Sequence, residues 1–437
     1  MKVPISWLKD YVDINLPLDE LAHRLTLAGH EVSEIITTGG DWTNVVVGQI
    51  TAVDPHPNAD RLRLATVDLG GETQRVVCGA PNLTVGDKIA FARLGARLMN
   101  PHTGKPEELK TARIRGVESS GMVCSELELG LSDNHEGILV LRPEAEVGRP
   151  LATQLGDTVF DFDITANRPD CLSVVGIAHE VAALTGEKIH IPEVTYEEAG
   201  EDINDRVSIE IADADLCPRY CATLITGVNI APSPAWLQER LTNAGQRPIN
   251  NIVDISNYIM LEYGQPLHTF DYDRLVGQHI IVRRAEAGEN FITLDEENRQ
   301  LTSDMLVIGD AARTVAVAGV MGGLNSEVTE RTTNILVEAA SFKAASIHHT
   351  SGELGLVSEA STRFARGIAA AMTLPALRHA TKLVAELGQG TAARGLIDVY
   401  PGKKEPPAVS VAVEKTERVV GVHYTEEQIV ETLTALG

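Results

Sequence analysis

The residues that could do chemistry cluster in one apolar stretch. From Gln246 to Leu275 the chain reads Q-R-P-I-N-N-I-V-D-I-S-N-Y-I-M-L-E-Y-G-Q-P-L-H-T-F-D-Y-D-R-L. Asp254, Ser256, Asn257 and His268 crowd a segment too apolar to be a surface loop. Buried polar side chains cost free energy unless they are paired. These residues therefore either pair with each other or line a pocket for a polar ligand. Further on, Glu338 is a lone carboxylate in I-L-V-E-A-A, preceded by the glycine-rich run A-G-V-M-G-G at 318–323. A carboxylate in an apolar strand needs a hydrogen-bond donor, and a ligand hydroxyl would serve.

The elements that must hold these residues follow from local pattern. Asn250 and Asn251 favour a helix cap, and Ile252, Val253, Ile255, Ile259 and Met260 give an apolar helical face. Gly264 and Pro266 end that helix, and Leu267–Phe270 reads as a short strand with Asp271 able to cap a further turn. The glycine-rich run has no following Lys-Ser/Thr, so it is not a nucleotide P-loop; its glycines let backbone approach a substrate or make a turn. His348 and His349 are adjacent and cannot face one way on a helix, which argues against a metal pair. A hydrolase built on Asp254, His268 and Asp271 has no nucleophile elbow or metal pair to support it.

The 437-residue length predicts three or four domains, and the formal charge of −24 argues against general coating of nucleic acid. Cys78, Cys124, Cys171, Cys217 and Cys221 are widely spaced, with no C-x-x-C pair, and are expected to be reduced, buried thiols of a cytoplasmic protein. No Cys or His pair completes a site with Cys217 and Cys221, so no metal is predicted. Met1–Asp13 is amphipathic and charged, unlike a signal peptide, and no apolar run would span a membrane.

Along the chain, Ser6 is positioned to cap a helix carrying Trp7, Leu8, Tyr11 and Val12, and Leu18–Ala28 is a second helical pattern. Residues 40–151 read as all-β, with a hairpin at Gly70-Gly71 and enough short strands to predict a closed barrel. Between Lys88 and Arg115 this acidic chain carries seven basic residues, Lys88, Arg93, Arg97, Lys105, Lys110, Arg113 and Arg115, against Glu107 and Glu108. They are either a solvated rim or a contact for an RNA backbone. Aromatic residues are scarce there, which favours phosphate contacts over base stacking. The polar turn N-R-P-D at 167–170 is assigned to locking two halves of a split domain, 191–204 to a linker, 401–407 to another, and Val409–Val413 to a strand before a helix capped by Thr425.

The run D-I-S-N-Y followed by G-Q-P-L-H-T-F-D resembles the editing domain of bacterial phenylalanine–tRNA ligase β subunits. H-P-N-A-D-R-L at 56–62, N-R-P-D-C-L-S at 167–173, A-G-V-M-G-G at 318–323 and V-E-A-A-S-F at 337–342 match in the same order. The resemblance implies a multidomain α+β chain. It has a split α+β domain at 1–39 plus 152–190, an inserted oligonucleotide-binding-fold (OB-fold) barrel at 40–151 that binds tRNA, an α+β editing domain at 205–400, and the start of a winged-helix-like domain at 401–437. The family's further domains, with their acidic metal ligands, would lie past residue 437.

In this family an apolar phenylalanine site rejects an added hydroxyl by only roughly a hundredfold, so a second site must hydrolyse mischarged Tyr-tRNA(Phe). The resemblance implies that Glu338 reads the phenolic hydroxyl, with Ala318, Gly319 and Ala340 giving room and backbone contacts. His268, Asn257 and Ser256 would hold the ester and its water; the family often has Thr where this chain has Ser256. Whether His268 acts as a general base or positions water stays open. Lys88, Arg93, Arg97, Lys110, Arg113 and Arg115 become the expected RNA contacts. At His348 and His349 the family usually has basic residues, so no RNA contact is carried over there. The implied partners are tRNA(Phe) and an α subunit in an α2β2 heterotetramer, whose ATP and Mg serve aminoacylation outside this chain, with no cofactor held by this chain itself. A tRNA-binding scaffold with an inactive editing pocket is the alternative.

Overall fold

The computed structural model describes residues 1–39, 42–403 and 408–436. The chain divides into two compact units, one of residues 35–159 and one that combines 1–34 with 160–437.

The 35–159 unit is built on β1 (Val45–His56), β2 (Ala59–Asp68), β3 (Thr73–Cys78), β4 (Lys88–Arg93) and β5 (Gly121–Val123). These form one antiparallel sheet in the order β5-β4-β1-β2-β3. β1 is long enough to pair with β4 through its first half and with β2 through the rest, and its register shifts after Ile50 and at Pro55. Such irregularities bend a strand and curl a sheet. The end strand β3 is tied back by its Val77 N–H, which donates to Ser119 Oγ at 3.1 Å just before β5. Gly70 and Gly71, both at positive φ, make the predicted hairpin between β2 and β3. Pro57-Asn58 makes the tighter one between β1 and β2.

In the other unit, α1 (Val174–Thr185) joins the N-terminal residues Val3, Trp7, Leu8 and Leu25 in a core that continues into the 205–400 region. Its centre is a six-stranded sheet. β6 (Arg219–Thr226) precedes α2 (Asn251–Tyr263) and β7 (Leu267–Asp271), and β8 (Asn334–Ser341) pairs antiparallel with both β6 and β7. α3 (Ala344–Leu354), α4 (Glu359–Arg366) and α5 (Thr373–Leu387) follow. β8 is buried on both faces, and its alternation sorts two cores. Ile335, Val337 and Ala339 join the core made by α2 and α5, whereas Leu336 and Ala340 join a second core with Phe270, Val317, Phe342 and Phe364. Glu338 therefore points to the second face. A separate five-stranded sheet, from Ser208–Ile211 through His279–Arg284, Leu306–Gly309 and Thr314–Val317 to Met321–Gly322, supplies part of that second core.

Several local expectations need correction. The first helix is Ile5–Leu8 with Pro4 at its cap, so Ser6 lies inside it. Glu198–Asp202, at the end of the expected linker, is a strand paired in parallel with Thr391–Arg394; its acidic composition hides a strand held by backbone pairing and by the Gly395 N–H donating to the Glu198 carboxylate. Residues 409–412 form no strand, and Val413 opens a helix, because no neighbouring strand pairs with the segment. Thr425 does cap the last helix, in a capping box closed by Gln428. Part of the 401–407 linker, residues 404–407, lies outside the described residues.

Candidate active site

α2 forms as its sequence requires. Asn250 caps it by accepting from the Ile252 and Val253 N–H groups, and Gly264 ends it in the left-handed conformation. The chain then turns straight into edge strand β7, which brings His268 alongside β8. In the β7–β8 register His268 is the direct partner of Glu338, and in the β6–β8 register Ala222 is. Directly opposed residues share a face, so His268, Glu338 and Ala222 all project to the second core.

His268 and Glu338 line one small cavity of about 70 Å³ that opens to solvent, together with Pro266, Leu267, Gly319, Met321, Gly322, Phe342 and Phe364 among others. The His268 ring stands edge-on to Phe270, with centroids 4.5 Å apart. Gly322 approaches the ring so closely that an added Cβ would lie 2.3 Å from His268 Cε1. Gly319, at φ +66°, would with a side chain press on Ile347, Phe342 and Phe364. The glycine-rich run is thus a wall of this cavity, with backbone where side chains would fill it.

Electrostatics follow from burial. Desolvation pushes the Glu338 carboxyl up to about 8, opposed by a hydrogen bond from Tyr220. The same cause pushes His268 down to about 4. Tyr220 Oη donates to Glu338 Oε2 at 3.2 Å.

The other expected site residues are placed differently. Ser256 and Asn257 are half-buried on α2, whose apolar side packs into the core on the opposite face of the sheet. Neither lines the cavity; Ser256 Oγ donates back to Val253 O at 2.7 Å. Ala318 and Ala340 are buried and do not line the cavity, and Ala340 O accepts from Gln265 Nε2. Asp254 satisfies the structural reading: it accepts from Ser233 Oγ and the Ile249 N–H at 2.5 and 2.7 Å. Asp271 accepts from Thr332 Oγ1, so no Asp254–His268–Asp271 constellation forms. Of the polar residues singled out in the Gln246–Leu275 stretch, His268 reaches the cavity.

In the 35–159 unit, Arg97, Lys105, Lys110, Arg113 and Arg115 are exposed. Arg93 pairs with Glu72 at 2.8 Å. Lys88 is turned inward, donating from Nζ to Ala145 O at 2.6 Å, and so is not free for a phosphate. Arg113 and Arg115 lie on a basic hairpin in which Ala112–Ile114 pairs with Val117–Ser119, and Asn58 donates to Arg115 O, tying the β1–β2 turn to it.

All five cysteines are buried free thiols. His30, Cys171 and Glu180 bring ligand atoms within 4.8 Å of one another. Arg168 from the N-R-P-D turn already fills that cluster: its guanidinium contacts Glu180 and His30, the latter at 3.2 Å. A fixed cation there opposes a metal ion, and the turn instead links helix α1 to the N-terminal segment.

Residues 216–389 match the B3/4 domain family and residues 45–150 a tRNA binding domain family. Across 97% of its length the chain is 49% identical to the phenylalanine–tRNA ligase β subunit of Dehalococcoides mccartyi, covering 52% of that protein. It is 48% identical over its full length to the β subunit of Moorella thermoacetica, covering 54% of it. The chain belongs to the phenylalanine–tRNA ligase β-subunit family. It spans about half the length of the curated relatives it matches.

Within this family framework the B3/4 match contains the cavity and the tRNA-binding match contains the basic hairpin. Reasoning from sequence missed Tyr220, Phe342 and Phe364. R-Y-C-A-T-L-I-T reads as an ordinary buried strand, and nothing local distinguishes a tyrosine that holds a carboxyl from one that fills a core. Gly322 stood in the glycine-rich run, but its contact with His268 depends on two separate sheets meeting.

Proposed function

We propose that this chain is the part of a phenylalanine–tRNA ligase β subunit that binds tRNA(Phe) and hydrolyses mischarged Tyr-tRNA(Phe). The observation that carries the reading is His268 opposite Glu338 in a cavity otherwise walled by apolar side chains and glycine. Its apolar lining suits an aromatic ring, and Glu338 supplies the polar group that a phenol seeks and a phenyl ring does not. With Oε2 held by Tyr220, the second carboxyl oxygen is left for the ligand hydroxyl.

His268, pushed down to about 4, is a neutral imidazole near pH 7 and a weak base. It therefore acts here by holding the attacking water or the ester through a hydrogen bond, rather than by taking a full proton in a pre-equilibrium. Exposed Arg97, Lys110, Arg113 and Arg115, with Arg93 beside them, serve as phosphate contacts on an OB-fold barrel. ATP- and Mg-dependent aminoacylation belongs to a partner α subunit in a cytoplasmic α2β2 assembly, and 401–437 to the start of a winged-helix-like domain.

The test is deacylation of Tyr-tRNA(Phe) and Phe-tRNA(Phe) by the chain, with and without an α subunit. Faster release of tyrosine than of phenylalanine is expected; equal rates, at the level of buffer alone, would refute the reading. The rival, a tRNA-binding scaffold with an inactive pocket, draws on one observation: Ser256 and Asn257 do not line the cavity.

A further inference from the structure

The carboxyl that faces the cavity is held from the neighbouring strand β6, on the side away from His268. Tyr220 is fully buried on β6, and its hydroxyl donates to Glu338 Oε2; among the described residues this is the one hydrogen bond to that carboxyl. The contact is a consequence of register. Tyr220 pairs with Ala340 and Ala222 with Glu338, so Tyr220 is the diagonal neighbour of Glu338 on the same face. The methyl groups of Ala222 and Ala340 leave the phenol room to reach across.

A glutamate side chain has several rotors and two equivalent oxygens. A group that fixes one oxygen aims the other and removes the entropy of doing so on binding. The site thus already has one phenol on this carboxyl, and a tyrosyl ligand would supply a second to the remaining oxygen. A phenylalanyl ligand would leave that oxygen desolvated and unpaired.

We propose that Tyr220 is a positioning residue of this cavity: by taking one oxygen of Glu338 it presents the other to the hydroxyl of the ligand. This rests on reading the cavity as a site for tyrosyl esters.

The experiment uses Tyr220→Phe in the full chain, with two readouts. In deacylation, kcat/KM for Tyr-tRNA(Phe) should fall about tenfold, the size of one hydrogen bond, while that for Phe-tRNA(Phe) holds. In carbon-13 NMR of carboxyl-labelled glutamate, with the Glu338 signal assigned through Glu338→Gln, its titration midpoint should rise, because the lost bond favoured the charged form. A merely structural Tyr220 would lower stability and slow both esters alike. Unchanged selectivity together with an unchanged midpoint overturns the proposal. Should Tyr220→Phe fold poorly, 3-fluorotyrosine at 220 keeps the shape and strengthens the donor. The midpoint must then fall, and a midpoint that stays put overturns the proposal equally. If the unaltered chain shows no preference for the tyrosyl ester, the cavity reading fails instead, and the titration still tells whether Tyr220 governs Glu338.

Discussion

His268 and Glu338 face each other across the β7–β8 pair, and burial drives both away from charge, the imidazole down to about 4 and the carboxyl up to about 8. Between those values both groups are mostly neutral. The pair is thus two mostly neutral groups rather than an ion pair, and its pH behaviour differs from that of an exposed His–Glu contact.

Selectivity should separate the two residues. Glu338→Ala is expected to lower the Tyr-to-Phe ratio of deacylation severalfold, the loss of about 0.5–1.5 kcal/mol for a hydrogen bond to a neutral carboxyl. His268→Ala should slow both esters and leave the ratio alone. Deacylation of both charged tRNAs by each variant checks this; an unchanged ratio in Glu338→Ala would make Glu338 only the partner of Tyr220.

Stability should depend on pH through the same pair. Glu338 has a folded value above its unfolded one, so the stability it contributes is full below about 4.5 and is lost as pH rises through about 8. His268 is depressed, so its contribution is full above 6.5 and is lost as pH falls through about 4. Glu338→Gln should therefore gain stability relative to the unaltered chain as pH rises from 5 to 8, by up to about 1.4 kcal/mol per pH unit. Urea unfolding at several pH values measures it, and parallel curves would contradict the assignment.

Gly322→Ala tests the wall. The new Cβ would overlap the His268 ring at 2.3 Å, so the imidazole must swing or the strand must shift. Deacylation should drop at least as far as in His268→Ala while tRNA affinity, which we propose the 35–159 unit carries, stays as it was. A fully active variant would mean that the ring is free to move without consequence.

On the basic hairpin, reversing Arg113 and Arg115 to Glu should weaken tRNA binding and flatten its dependence on salt, since each phosphate contact contributes a slope of about 0.9 on duplex or 0.7 on single strands. Lys88→Met should leave that slope alone and instead destabilise the 35–159 unit, because its ammonium is spent on Ala145 O. Filter binding across salt concentrations distinguishes the two, and an unchanged slope in the double reversal would reduce the hairpin to a solvated rim.

By itself the sequence determined what is local. Asn250 and Gly264 bound α2 because a cap and a left-handed residue are needed at those two points, and Gly70-Gly71 turns a hairpin for the same kind of reason. Glu338 was conspicuous because a carboxylate in an apolar strand is costly wherever that strand goes. The tertiary structure alone decided which partners meet. His268 opposes Glu338 through the pairing of β7 with β8, and Tyr220 reaches it through the pairing of β6 with β8, both set by contacts distant in sequence. A slip of one residue in either register would turn Glu338 or its partner to the other core. For the same reason Ser256 and Asn257, chemically apt, sit on a helix that serves the opposite face, and Lys88, charged like its neighbours, points inward. Side-chain type is written locally, whereas the direction a side chain faces is fixed by packing across the whole sheet.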